Sequence, residues 1–324
     1  MKPDGFAADL RRKPEVLRRL ATTLAARNPW AEVVPKNVDR VVLLGMGSSA
    51  YAGGVAAARM RAKGLTVTSD LASSTLLPDW GAGTLVVATS ASGGSVETLD
   101  ALDRLPAAAH TIALTNTAGS AITERCRDVV ELAAEPEVGG VACRSYQHTL
   151  ALLLALECHL TGADTAALAA SVAAAAEATA HLLATESGWR PEVTELLLGP
   201  AGTHFAAPAH RFCSAQQAAL MLREGPRLAA VGCETGDWSH VDVYLTKTTD
   251  YRLAVFAGSA WEAQLAEWTT ARGSTVVGIG GDVPGARYHL RYPGDADDDV
   301  RLLTEVLVAE LVAAAAWQGQ PLTS

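Results

Sequence analysis

Residues 85–98, LVVATSASGGSVET, pass from four apolar residues into a turn built only from Thr, Ala, Ser and Gly, and then into a segment opened by Glu97 and Asp100. An uninterrupted apolar run closed by such a turn is the pattern of a strand buried on both faces, which is the usual state of a parallel strand. Glu97 and Asp100 suit the positive end of a helix that begins near Val96. Ser90, Ser92 and Ser95 surround Gly93 and Gly94 where that helix leaves its first N–H groups without partners. Small side chains let an anion approach, hydroxyls and N–H groups donate to it, and the helix dipole favours it. The same residues also make an ordinary capped turn. On this stretch alone both readings stand.

The rest of the chain repeats the pattern. Residues 41–44, VVLL, run into Gly45-Met46-Gly47-Ser48-Ser49 and then a small-residue helix over 51–63. Helices are expected over 8–27, 96–105, 121–126, 145–160 and 165–186, and further strands over 65–71, 111–116 and 129–134. Strands alternating with helices at this spacing predict a doubly wound parallel sheet. The second half parallels the first. ELLLGPAGT (195–203) matches VVLLGMGSS (41–49), LAVFAGSA (253–260) matches LVVATSAS (85–92), and STVVGIG (274–280) matches TIALTN (111–116), at an offset of about 160 residues. The expected architecture is therefore α/β, with two tandem doubly wound, flavodoxin-like parallel-sheet domains. An N-terminal helical segment (1–35) leads into the first domain (36–162). A helical link (163–190) then joins it to the second domain (191–324), which closes with a helix over 298–317. The second copy of the Ser-rich turn keeps only Ser259, so one anion site per chain is expected.

Composition narrows the partners. A net charge of −9 and the absence of any Lys/Arg run argue against nucleic acid or a membrane surface. The Ala-rich stretch 166–185 is interrupted by Glu177, Thr179 and His181, so no run is expected to reach membrane length. The charged N-terminus has no apolar core of a signal peptide. Five cysteines without a CxxC pair read as reduced thiols of a cytoplasmic protein, with no metal and no cofactor.

GMGSSA (45–50) and SASGGSVET (90–98), each after a buried strand, resemble the SIS (sugar isomerase) domain, and the two-domain layout resembles the isomerase half of glucosamine-6-phosphate synthase over about residues 35–320. The resemblance implies a sugar phosphate held by Ser49, Ser90, Ser92 and Ser95 with Gly47 and Gly93. PEVGGVACRS (136–145) is similar to the family's E-x-GVA segment and implies an acid role for Glu137. SAQQAALMLREGP (214–226) and ETGDWSHVDVYL (234–245) imply a proton-carrying glutamate at Glu224 and a ring-opening histidine at His240, sixteen positions apart as in the family. That histidine would serve the neighbouring subunit of a homodimer. The chemistry suits the residue types: a histidine titrates near neutral pH, and a partly buried carboxylate carries a proton between C1 and C2.

Taken singly, Glu224 also reads as a solvated helix end and His240 as a structural histidine. Arg144 and Arg223 are weaker candidates for the anion. Trp238 walls the sugar or packs the core, and Asp237 orients His240 or shapes a turn. His204 and His148 read as packing or surface residues. Departures from the synthase are Ala91 in place of a glutamine, Met221 and Ser145 in place of lysines, Gln217 in place of a glutamate, a C-terminus without the imine-forming lysine, and no preceding amidotransferase domain. These favour isomerisation without amination.

The expected function is a phosphosugar aldose–ketose isomerase working through a cis-enediol, or a related deaminase or deglycase. A bifunctional phosphoglucose/phosphomannose isomerase, a phosphosugar sensor that has lost catalysis, and a docking protein are the alternatives.

Overall fold

The computed structural model of the chain describes residues 1–78 and 80–319. The lysine-free C-terminus read from the sequence falls mainly on residues 320–324, which lie outside them. By contact the chain forms two compact units, each discontinuous in sequence: one comprises residues 16–136 and 142–172, the other residues 1–15, 137–141 and 173–324. Helix α1 (Pro3–Ala26) contributes to both.

The first unit carries β1 (Arg40–Gly45), α2 (Ser48–Ala62), β2 (Val67–Leu71), β3 (Thr84–Thr89), α3 (Val96–Asp103), β4 (His110–Thr115), α4 (Ala121–Arg125), β5 (Asp128–Glu131) and α5 (Arg144–Thr161). Its five strands are all parallel, in the order β2-β1-β3-β4-β5. The apolar runs take the centre: every residue of β3 is buried, as are Val41, Val42, Leu43 and Leu44 of β1. Helix α5 is buried continuously from Arg144 to Leu156 and packs on α2. Each of its buried leucines stabilises the fold by about 2 kcal/mol relative to an exposed one.

The second unit carries part of α6 (Thr165–Ala184), then α7 (Glu186–Leu197), β6 (Thr203–Ala207), α8 (Phe212–Glu224), β7 (Ala230–Glu234), β8 (Arg252–Phe256), α9 (Glu262–Ala271), β9 (Thr275–Ile279), β10 (Tyr288–Leu290), α10 (Asp298–Thr304) and α11 (Val306–Gln318). Its sheet is also parallel, in the order β10-β9-β8-β6-β7. Read from the other edge this is the order of the first sheet, so the duplication is one of topology as well as of sequence.

Three expectations are corrected. Residues 195–198 are not the strand that repeats β1: they end α7, and the strand is THFAA, several residues later. Trp189, Val193 and Leu197 are buried four residues apart, which is helical spacing, and this periodicity overrides the short apolar run 196–198. The closing helix is two, with α10 ending at Thr304 and α11 beginning at Val306. Finally, α6 is long and apolar enough to cross a membrane by length and composition. Its apolar character comes largely from alanine, and Leu168, Val172, Ala175, Ala176 and Leu182 are buried inside the fold.

Candidate active site

In a sheet of order 2-1-3-4-5, the connections diverge between strands 1 and 3, and ligands bind outside the carboxyl ends of the strands at that point. Both Ser/Gly turns of the first unit leave from there. Leu44 of β1 pairs with Ala88 of β3, so the two strands end side by side. After β1, Gly47 precedes α2 and Ser49 stands in its first turn, its N–H donating to the Met46 carbonyl. After β3, Ser90 is 6% exposed and extends the ladder through its N–H to the Leu114 carbonyl (3.1 Å). Among the described residues, no protein group takes the hydroxyl of Ser49 or Ser90. The Ser92 hydroxyl accepts from Gly94 N–H (3.3 Å) and keeps its own proton to donate. Gly93 is required: its φ is +68°, and a Cβ there would sit 1.9 Å from the Ser120 hydroxyl oxygen.

Ser95 is differently placed. It is the N-cap of α3, accepting from Thr98 N–H (3.4 Å) and the Thr98 hydroxyl (3.1 Å) while donating to the Glu97 carboxylate (3.0 Å). The exposed Glu97 carboxylate is held below the usual range by its own backbone N–H and by the Ser95 hydroxyl. It thus occupies the helix start that a phosphate would use, and an anion arriving there displaces an exposed side chain. Ala91 contributes its carbonyl, which accepts from Asn116 N–H and from the hydroxyls of Thr115 and Thr117.

The equivalent point of the second unit, between β6 and β8, is filled from within. The Glu262 carboxylate accepts from the N–H groups of Gly258 (2.5 Å) and Ser259 (2.8 Å), taking the donors that a bound anion would need. Arg211, 0% exposed, pairs with the buried Glu305 and donates to the Ala257 carbonyl.

Glu224 is the last residue of α8, half-buried. Burial raises its pKa, the nearby Glu137 charge raises it further, and Arg227 opposes both. Arg227 itself holds a left-handed backbone at φ 60°, a strained conformation of a kind that clusters at functional sites. Ala133 and Glu135 are likewise left-handed just before Glu137. Buried Arg144 donates to the carbonyls of Ala134 (2.9 Å) and Pro136 (2.6 Å), so it fastens this bend.

His240 is exposed and follows a 3-10 turn at 237–239, its N–H donating to the Asp237 carbonyl (2.8 Å). Helix α8 runs back to the end of the sheet where β7 begins, and His240 lies beyond the end where β7 stops. The five residues of β7, roughly 16 Å at about 3.3 Å per residue, separate them. The fold therefore brings Glu137 to Glu224 and does not bring His240 to either within one chain. Trp238 is a core residue whose indole N–H donates to the Tyr251 hydroxyl (2.8 Å). His204 stacks on Tyr251 and His148 contacts the Leu132 carbonyl (2.7 Å), as packing residues do. Arg223 donates to the Ala219 carbonyl of its own helix (3.3 Å).

Sequence reasoning passed over Lys13, Glu310 and Glu262. The signal for the first two was a lone charge on an apolar face: Lys13 lies between Leu10 and Leu17 in the buried stripe of α1, and Glu310 interrupts an apolar run of α11.

Residues 36–157 match the SIS domain family model. Over 217 residues the chain is 28% identical to the glutamine–fructose-6-phosphate aminotransferase (isomerizing) of Halobacterium salinarum. That match covers 63% of this chain and 36% of the relative, so the chain spans about a third of that protein's length. In fold it is similar to the C-terminal domain of glucosamine-fructose-6-phosphate aminotransferase from Francisella tularensis (TM-score 0.80, 15% identity, 97% of this chain and 96% of that one). It is also similar to tagatose-6-phosphate ketose/aldose isomerase from Escherichia coli (0.76, 17%, 96% and 92%) and to glucosamine-6-phosphate deaminase from Thermotoga maritima (0.73, 17%, 97% and 94%). The chain thus shares the two-sheet fold of these solved structures.

Proposed function

We propose that the chain is a phosphosugar aldose–ketose isomerase without glutamine-dependent amination. Ser49, Ser90 and Ser92 seat the phosphate at the β1/β3 point, Glu224 moves a proton between C1 and C2, and His240 of a second copy opens the ring. The observation that carries this reading is the Glu137–Glu224 pair, where one carboxylate's proton affinity is raised both by burial and by the other's charge. A half-buried carboxylate whose proton affinity is raised suits the uptake and return of a carbon-bound proton beside a carbonyl. Glu137, whose charge acts on Glu224, is the second carboxylate of the site. The uncommitted hydroxyls of Ser49 and Ser90 support the phosphate, and β7 standing between Glu224 and His240 supports a homodimer with shared sites.

The test is proton exchange at C2 across a panel of hexose, pentose and aminosugar phosphates in deuterated buffer, followed by NMR. Exchange with at least one member, abolished in E224Q, is expected. Binding without exchange identifies a phosphosugar-binding protein instead. Buried Met221, at the place of the synthase's lysine, is the observation that favours this second reading.

A further inference from the structure

The two Ser/Gly turns of the first unit lie where β1 and β3 stop. Where β1 starts, at Arg40 and Val41, a cavity of about 410 Å³ opens. The six residues of β1, roughly 20 Å at about 3.3 Å each, separate it from those turns. Its walls are the segment 31–39 that leads into β1, the turn from α2 to β2, and the last turn of α5.

These walls are fastened by the chain's own bonds. The Asn28 side-chain amide donates to the Ala155 carbonyl (2.8 Å), and its oxygen accepts from the Trp30 N–H (3.1 Å). The buried Trp30 indole donates to the Leu152 carbonyl (2.7 Å), so this segment is held to α5. The Val34 N–H donates to the Trp30 carbonyl (3.0 Å), that of Asp39 to Gly83 (2.8 Å) and that of Val41 to Thr66 (2.9 Å). The cavity therefore exists before any ligand arrives, which lowers the ordering cost of binding.

Val34, Pro35, Val38, Val41, Leu65 and Leu160 give it an apolar lining, each buried or half-buried. Lys36, Asp39, Arg40, Thr66 and His159 give it a polar one. Among the described residues, none of these five side chains has a hydrogen bond or an ion pair. Exposed arginines elsewhere do find partners: Arg104 bonds Asp100, Arg125 bonds Asp103, and Arg291 bonds Asp295. Here two cations and a carboxylate share one cavity without pairing. The negative end of α5 accounts for the cations only in part, because its Cys158 and His159 carbonyls already accept from the N–H groups of Ala163 (2.9 Å) and Gly162 (3.3 Å).

The charge selects the ligand. Lys36 and Arg40 against Asp39 leave one net positive charge, and burial lowers the His159 pKa, which keeps that imidazole neutral at pH 7. A carboxylate brings the single negative charge that balances this, whereas a phosphate monoester brings nearly two. We propose that this cavity is a second binding site, for a small organic carboxylate with an apolar body. The Arg40 guanidinium, a planar fork of donors, and the Lys36 ammonium take the carboxylate, while the apolar lining takes the body. Thr66 and His159 are left to bond any polar group on that body. The inference stands apart from the isomerase reading, which uses the other end of the sheet.

The test titrates the 15N-labelled full chain with 3-phenylpropionate, 4-methylvalerate, the neutral 3-phenylpropanol and inorganic phosphate. Saturable amide shifts over residues 36–41 and 65–66 are expected with the two carboxylates. R40Q should weaken this binding about tenfold, as loss of a charged hydrogen bond does, and K36Q/R40Q should abolish it. The melting temperature should stay unchanged in both, since the two side chains are exposed and bond nothing in the fold. S49A/S90A should leave the affinity as it is; a loss there would put the anion at the Ser/Gly turns and overturn the proposal. Absence of shifts with both carboxylates, or equal affinity in the parent and K36Q/R40Q, also overturns it. So does equally tight binding of 3-phenylpropanol, which would mark a merely apolar cleft, or of phosphate, which would mark an unselective anion site.

Discussion

Ser95 shows how one residue type answers to two demands. Its hydroxyl caps α3 and is bonded to Glu97, whereas the hydroxyls of Ser49 and Ser90 have no partner among the described residues. Substitution should separate the two roles. S49A and S90A are each expected to weaken phosphosugar binding by about 1 kcal/mol, roughly fivefold in Kd by calorimetry, with little change in melting temperature. S95A is expected to cost about 1 kcal/mol of stability as a lost N-cap, with a smaller effect on Kd. The serine cluster was legible in the sequence because a Ser/Gly turn after a buried strand has few other uses. The distinction within it was not, since the helix start near Val96 marks Ser95 as a cap without showing which of the other hydroxyls bond within the protein. The company of Glu137 and Glu224, far apart in sequence, rests on long-range packing that no spacing encodes.

Among the elements, α7 and the turn before α9 carry the main lessons. The run 196–198 reads as a strand by composition, yet Trp189, Val193 and Leu197 already define a buried helical face that extends through it. A three-residue apolar run cannot be told from a helix end without its neighbours. At the start of α9, the serine-poor second turn, expected from the sequence to lack an anion seat for want of hydroxyls, has its N–H donors engaged by a side chain. Glu262 bonds the Gly258 and Ser259 N–H groups itself. E262A removes the acceptor of both, and about 1–2 kcal/mol should be lost in urea unfolding. Free sulfate at high concentration should restore part of this in E262A and have less effect on the parent. Equal responses of both proteins would mean that the carboxylate is not standing in for an anion.

At the scale of the whole molecule, buried acids shape the response to pH. Glu305 is 0% exposed, and burial pushes its pKa up to about 6 although Arg211 pulls it down. A carboxyl whose folded pKa exceeds its unfolded value near 4.5 binds its proton more tightly in the native state. Its contribution is therefore complete below about pH 4.5 and is lost as the pH rises through about 6. Relative to E305Q, the parent should gain about 2 kcal/mol of unfolding free energy between pH 7 and 4.5, measured by urea titration at each pH. A constant difference between the two proteins across that range would contradict this. The duplicated parallel-sheet plan was legible because alternation of strands and helices leaves few other folds. The discontinuous units were not, because the first turns of α1 and residues 137–141 join distant sequence through contacts such as Asp9 with Gly139.

The strand β7, standing between Glu224 and His240, has a genetic consequence. If each site takes its glutamate from one chain and its histidine from another, defects in the two residues are recessive to one another. Chains carrying E224Q and chains carrying H240N, each inert alone, would form mixed pairs in which one of two sites is whole. After random re-pairing about half of the pairs are mixed, and about a quarter of the parental exchange rate should reappear. Silence on mixing would mean that a single chain completes its own site. Restored activity would mark the two lesions as complementing alleles of one gene, a property set by the length of five residues of strand.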